Sequence, residues 1–202
     1  FNLGHLGFLT EAEPEDLSQS VDKIMQGDYV VDKRMMLESR LYRNEEEIGH
    51  FIALNDVGLT KGSFSRMVVT TVYVNQSYLG TYSGDGILVS SPTGSTGYAL
   101  SAGGPLISPQ VEALLFTPIA PHTLTARPIV VSPDDVFKIV VESDHEDIGL
   151  TMDGQQGIPL RQNDVVVVKK SRYSTQLIKW KRSNFFDVVR KKLQGSGGEE
   201  RL

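Results

Sequence analysis

The sequence predicts a mainly β protein with a few helices. Three observations carry that prediction: an apolar period of two that sets in at Tyr29, turn chemistry recurring between short apolar runs, and helical spacing confined to a few segments. With 202 residues, 40% of them hydrophobic, the chain can bury a sizeable core. A formal charge of -5 argues against a general binder of nucleic acid or of a membrane surface, which needs a dominant basic field. The absence of cysteine removes disulfides, thiolate metal sites and thiol nucleophiles, and fits a reducing cytoplasm. No apolar run reaches the length needed to span a bilayer.

The first residues read as a strand end followed by turns at Gly4 and Gly7. The chain opens on Phe1 rather than Met, so it is expected to continue a longer protein whose first strands lie upstream. His5, a lone histidine beside glycines, reads as a packed or capping residue before it reads as a ligand. Thr10 with Glu13 resembles a capping box, and Leu17, Val21, Ile24 and Met25 recur at helical spacing, predicting a helix over 14–26 stopped by Gly27.

Beyond Tyr29, Met35, Leu37, Ser39 and Leu41 alternate with Met36, Glu38, Arg40 and Tyr42. The run 44–47 makes a turn, and 48–54 returns as a partner strand. Asn55 and Asp56 follow at the end of that strand. Two polar residues there make an ordinary turn, or they can chelate two vicinal hydroxyls, since an amide donates and accepts while a carboxylate accepts. Strands are predicted over 68–74 and 78–82, joined by a turn at 75–77. Arg66, just before the first of these, offers a forked donor for phosphate or is a plain surface residue. A helix is predicted over 109–116, then strands over 129–131, 136–141, 148–152, 165–169 and 177–180. Asp153-Gly154-Gln155 carries the strongest hairpin signal of the second half. A last helix is predicted over 184–193, and 195–202 reads as a frayed polar end.

The most informative stretch is 83–104. Gly84 and Gly86 flank Asp85, giving a bend able to take positive φ and present one carboxylate. Ile87, Leu88 and Val89 form the uninterrupted apolar run of a strand buried on both faces. The hydroxyl-rich loop 90–96 follows, then a brief helix with Tyr98 as a stacking ring. Ser, Thr, Gly and Pro cluster in any turn, but exposed N–H groups on a glycine-bearing loop that opens a helix also suit an anion or the hydroxyls of a nucleotide. The order of residues is neither a phosphate-binding Gly-Lys-Ser/Thr loop nor the three-glycine dinucleotide fingerprint, nor a Gly-x-Ser-x-Gly elbow.

Taken together, Gly4 to Thr10, Asn55-Asp56, the segment from Gly84 to Tyr98, Ala102 to Ile107 and Thr117 to Ile129 resemble the NAD kinase family over nearly the whole chain. The resemblance implies the all-β C-terminal domain of a two-domain α/β plus all-β parent. Residues 1–28 would be the junction to the N-terminal domain, 29–180 the NAD-binding domain, and 181–202 a C-terminal helix and tail. It implies transfer of a phosphoryl group from ATP, or another donor, to the 2′-hydroxyl of the adenosine ribose of NAD, with Mg²⁺ or another divalent cation.

On matching positions, Asn55 and Asp56 would hold that ribose, and Thr96, Gly97, Tyr98 and Ser101 would line the pocket. Asp85 and Ala120 would reach the nicotinamide end, and Arg66 and Gln155 would touch the ligand. A cytoplasmic homo-oligomer, dimer or tetramer, with sites shared between subunits is implied too, with no nucleic-acid or membrane partner. The chain departs from the family pattern at Asp56, Ser83 and Gly97, where Glu, Arg and Ala are usual. It also has no Gly-Gly-Asp-Gly loop, whose Asp is the family's base, so no catalytic or metal-binding residue is assigned here and the chain is expected to bind better than it catalyses. A dinucleotide-binding module without chemistry is the alternative from another class. A lipid kinase of the same superfamily would need an apolar channel, against which the polar loop 90–96 speaks.

Overall fold

The structure, a computed structural model, describes residues 8–10, 12–62, 66–145, 147–180 and 184–193. The glycine turns and His5 at the start, and the polar end after residue 193, lie outside them. Two compact units result: residues 34–175, and residues 1–33 with 176–202.

The first unit holds most of the twelve strands described. In chain order these are β1 (Val30–Arg43), β2 (Glu46–Ala53), β3 (Asp56–Lys61), β4 (Val68–Val74), β5 (Ser77–Gly84), β6 (Gly86–Ser90), β7 (Leu114–Ile119), β8 (Ile129–Val131), β9 (Phe137–Val141), β10 (Ile148–Met152), β11 (Gln155–Pro159) and β12 (Val165–Lys179). They form two six-stranded sheets, in the orders β2-β1-β12-β9-β4-β5 and β11-β10-β3-β6-β7-β8. The mainly β prediction holds.

Alternation decides which residues go inside. Leu37, Val72, Ile139 and Val166 from the first sheet meet Val57, Ile87, Phe116 and Leu150 from the second in one core. Leu88 and Leu115 point to the other face of the second sheet, where Ala99, Ile107 and Ile119 join them in a smaller cluster. Thus β6 is buried on both faces, as its unbroken apolar run predicts. The hairpin turns at Asn44-Glu45, Asn75-Gln76 and Asp153-Gly154 all place two consecutive residues at positive φ, the turn whose twist matches that of paired strands.

Three expectations need correction. The helix predicted over 109–116 is absent, and Leu114–Ile119 is strand β7, wholly buried. A short apolar run reads either way, and here burial between two neighbours made it a strand. Pro118 is tolerated inside it because β8 pairs only with Leu114, Leu115 and Phe116, leaving β7 one neighbour at the proline. The strands predicted at 165–169 and 177–180 are one strand, β12, since no glycine or proline interrupts the polar stretch between them. β3, in turn, has no counterpart among the predicted strands.

The second unit contains α1 (Leu17–Gln26) and α3 (Phe185–Leu193). Gly27 ends α1 at φ 73, and its N–H donates to Ile24 O, the left-handed cap expected of it. The N-terminal box is shifted from Thr10-Glu13: Asp16 accepts from the Glu13 N–H at 3.1 Å around a single 3-10 turn, Pro14–Asp16. Among the described residues no helix is long and apolar enough to cross a membrane.

Candidate functional site

Asn55 and Asp56 form the corner between β2 and β3, and two separate segments fasten it, the β10–β11 hairpin and the hydroxyl loop. Asp153, at the hairpin between β10 and β11, accepts from the N–H groups of Leu54 (2.9 Å), Asn55 (2.6 Å) and Asp56 (3.1 Å). Its own N–H donates to Asp56 O at 2.9 Å. From the hydroxyl loop, the Ser91 N–H donates to Asn55 O at 2.8 Å and the Ser91 hydroxyl to Leu54 O at 2.5 Å. Gly94 lies so close that a Cβ there would stand 2.0 Å from Asn55 O. The backbone of the corner is therefore committed to its supports, leaving the Asn55 and Asp56 side chains for other work.

Beyond Gly94 the loop is pinned from beneath. Ser95 is fully buried, its hydroxyl donating to Pro92 O (2.7 Å) and accepting from the Ile107 N–H (3.0 Å). The buried Arg34 of β1 donates to the Thr93 hydroxyl at 3.3 Å. A short helix, α2 (Tyr98–Ser101), follows. Ala99 packs into the small core cluster, which leaves Gly97, Tyr98 and Ser101 exposed on the outside, with Tyr98 half-exposed. Thr96 is partly buried, its hydroxyl donating to Thr93 O at 2.9 Å. Gln155, the first residue of β11, is exposed two positions past Asp153.

Asp85 is placed elsewhere. β3 and β6 pair from Asp56–Ser90 at one end to Thr60–Gly86 at the other. Four strand residues separate the ends, about 13 Å. Asp85 sits at the far end, where Lys61 Nζ reaches its Oδ1 at 2.9 Å and its N–H donates to Ile119 O at 3.0 Å. Ala120 is exposed there with φ 42, and a Cβ on Gly84 would stand 2.8 Å from its carbonyl oxygen. Of the two glycines beside Asp85, Gly86 takes the positive φ, at 149, while Gly84 serves close approach. Arg66 is exposed two residues ahead of Val68, which pairs with Gly84. Within one chain the ten residues therefore fall into two groups: Asn55, Asp56, Thr96, Gly97, Tyr98, Ser101 and Gln155 at one end, and Asp85 with Ala120 and Arg66 at the other.

Sequence reasoning missed Asp153, Arg34 and Lys61. Arg34 shares the polar register of β1 with Asp32, Glu38 and Arg40, so alternation alone reads it as an ordinary surface charge. Asp153 reads only as a hairpin residue, because its partners lie almost a hundred positions away.

The Asp56 carboxyl is 5% exposed, and that burial, with the nearby charge of Asp153, raises its pKa from 3.8 to about 6. The folded protein thus holds a proton that the unfolded chain has already lost, and stability falls as pH rises from about 4 to about 6. Asp56→Asn should raise stability at pH 7 by about 1–3 kcal/mol. Calorimetry from pH 4 to 8 should show the wild-type Tm declining through that window and the variant nearly flat; parallel curves would contradict the assignment.

The family model for the ATP-NAD kinase C-terminal domain matches residues 54–180. An NAD kinase of Caldanaerobacter subterraneus is 52% identical over 192 residues, 95% of this chain and 68% of that protein. One from Moorella thermoacetica is 47% identical over 199 residues, 98% of this chain and 64% of that protein. Among solved structures, yeast NADH kinase complexed with NADH superposes with a TM-score of 0.84 at 28% identity, over 99% of this chain and 59% of that one. An NAD kinase from Archaeoglobus fulgidus in complex with ATP gives 0.77 at 25% identity, over 96% of this chain and 72% of that one. The chain thus spans between 59% and 72% of the length of these relatives.

Proposed function

The chain belongs to the NAD kinase family, and from that premise we propose that it is the dinucleotide-binding portion of an enzyme that phosphorylates NAD to NADP with ATP. The observation that carries the assignment is the Asn55-Asp56 corner. Its backbone is tied down by Asp153, Ser91 and the close approach of Gly94, so an amide and a carboxylate are held side by side at the mouth of a hydroxyl loop. Such a pair suits the vicinal hydroxyls of a ribose, with the carboxylate accepting and the amide both donating and accepting. Tyr98 and Ser101, exposed on α2 beside the loop, give the same ligand a ring to stack on and a further hydroxyl.

In the reaction the ribose 2′-oxygen attacks the γ-phosphorus, the bond to ADP breaks, and the hydroxyl proton passes to a base. The sequence lacks the family's Gly-Gly-Asp-Gly base loop, so this chain alone binds and orients NAD without turning it over. Among the described residues no group of three acidic, histidine or cysteine side chains could hold a metal ion. A divalent cation, when bound, would neutralise charge on the donor's phosphates, and no step assigned to these residues passes through it.

Residues 29–180 form the NAD-binding domain of this proposal, with 1–28 as junction and 181–202 as tail. Asp85 and Ala120 stand about 13 Å from the Asn55 corner along β3 and β6. That separation supports a homo-oligomeric enzyme in which a second copy brings the Asp85 end to the ligand.

The test is NADP formation by the protein that carries this chain, expressed over its full reading frame with NAD, ATP and Mg²⁺. Product is expected with the wild type, and Asn55→Ala should raise KM for NAD at least tenfold. NAD binding without product would make the protein a dinucleotide-binding module instead. A second expectation concerns pH. With Asp56 titrating at about 6, only about a tenth of it is ionised at pH 5. NAD affinity should then fall about tenfold between pH 7 and 5 by calorimetry, and this dependence should vanish in Asp56→Asn.

A further inference from the structure

Among the described residues four buried hydroxyls have no hydrogen-bond partner, those of Ser39, Thr70, Ser90 and Thr117. Ser90 alone of these is paired with a residue of the Asn55-Asp56 corner. Alternation sends Val57, Leu59, Ile87 and Val89 into the main core, so Asp56 and Ser90 turn to the opposite face of the second sheet, beside Leu88 and Leu115. Asp56 and Ser90 are direct partners across the β3–β6 pair, which puts their Cβ atoms about 5 Å apart. On its other side Ser90 faces Leu115 of β7, and Leu88 precedes it on the same face, so neither side chain offers it an acceptor.

Each of the two groups lacks what the other carries. Ser90 is wholly buried, and a buried hydroxyl without an acceptor is costly to keep. Its neighbours in the loop are engaged: the hydroxyl of Ser91 donates to Leu54 O, that of Ser95 to Pro92 O and that of Thr96 to Thr93 O. The Asp56 carboxyl accepts no hydrogen bond from a described residue, so burial and the charge of Asp153, on the β10–β11 hairpin, act on it unopposed. The loop 90–96 carries no titratable side chain, and the buried Arg34 that reaches it donates to the Thr93 hydroxyl.

Given the ribose reading of Asn55 and Asp56, on which this rests, we propose that Ser90 is a positioning residue of that corner. With NAD bound, its hydroxyl turns about χ1 from one staggered position to another, donates to one Asp56 carboxylate oxygen, and leaves the other oxygen for the ribose. No proton changes hands, since the serine keeps its hydrogen and the carboxylate only accepts. A ligand over the corner excludes water, and in such surroundings a hydrogen bond to a charged acceptor is stronger than one between neutral groups. Ser90 thereby holds Asp56 both ionised and aimed at the ligand.

The test is calorimetric titration of NAD into the protein that carries this chain, expressed over its full reading frame. Ser90→Ala should weaken NAD binding about tenfold at pH 7, the loss expected when a charged acceptor loses its donor. In an Asp56→Ala background the same substitution should weaken it by less than about twofold, a coupling that a packing defect does not produce. The ratio between wild type and Ser90→Ala should also shrink from pH 7 to pH 5, where only about a tenth of Asp56 is ionised and the hydroxyl has lost its charged acceptor. Thr117→Val removes another unpaired buried hydroxyl from the same face, opposite Leu88 rather than Asp56, and should leave NAD affinity unchanged. Wild-type affinity in Ser90→Ala, an equal loss in the Asp56→Ala background, a ratio that does not change with pH, or an equal loss in Thr117→Val would each overturn the proposal. NAD binding by the wild type and the Asn55→Ala effect test the ribose reading by themselves. Both holding while Ser90→Ala behaves as wild type would remove Ser90 alone, and a wild type that binds no NAD would remove both assignments.

Discussion

Gly94→Ala is expected to abolish NAD binding and to lower stability by about 3 kcal/mol or more, although only one methyl group is added. The added Cβ would stand 2.0 Å from Asn55 O, 2.5 Å from Asn55 C and 2.9 Å from Asn55 Cα, all backbone atoms that no rotamer change can move aside. To admit it, the loop must lift from the corner, which breaks the Ser91 N–H bond to Asn55 O and the Ser91 hydroxyl bond to Leu54 O. Both supports lie in buried or half-buried surroundings where unpaired polar groups are costly. For a chain of this length the melting temperature should drop by about 6–12 °C. Gly149→Ala in β10 supplies the control, since a Cβ there meets nothing within 4 Å and the change should stay within about 1 kcal/mol. Equal effects of the two substitutions, by calorimetry and by NAD titration, would show that the loop does not rest on Asn55.

What the sequence disclosed, and what it withheld, follows the range of the forces involved. Turn chemistry is local, and the pairs Asn75-Gln76 and Asp153-Gly154 could be read directly because positive φ at consecutive positions selects few residues. Burial of Ile87 to Val89 on both faces was legible for the same reason, an unbroken apolar run having few other homes. β7 was misread because Ala113 to Phe116 fits helix or strand, and only the neighbours on either side decide. Asn55 and Asp85 are assigned to one ligand by resemblance, with sites shared between subunits, and no local pattern announces that the β3–β6 register sets them at opposite ends of a strand pair within one chain. The support from Asp153, spanning 97 to 99 positions, leaves no periodic trace at all.

Asp153→Ala should therefore act on a site from which it is distant in sequence, lowering NAD affinity at least tenfold and stability by about 3–4 kcal/mol. Three N–H groups, of Leu54, Asn55 and Asp56, lose a charged acceptor at once. The position itself has φ 53, which aspartate tolerates better than alanine. Loss of the charge also removes one of the two influences that raise the Asp56 carboxyl, so the pH at which NAD affinity fails should move down. Asp153→Asn keeps one acceptor oxygen and the turn preference while losing the charge, and its effects on affinity and stability should fall between wild type and alanine. Amide exchange at 54–56 reports the supports directly, and it should quicken in the order wild type, asparagine, alanine. If the alanine variant melts earlier while its NAD affinity and the pH of half-loss stay unchanged, Asp153 closes a hairpin and does nothing for the ribose corner. Affinity and exchange failing together would mean that the geometry of Asn55 and Asp56 is set from across the sheet.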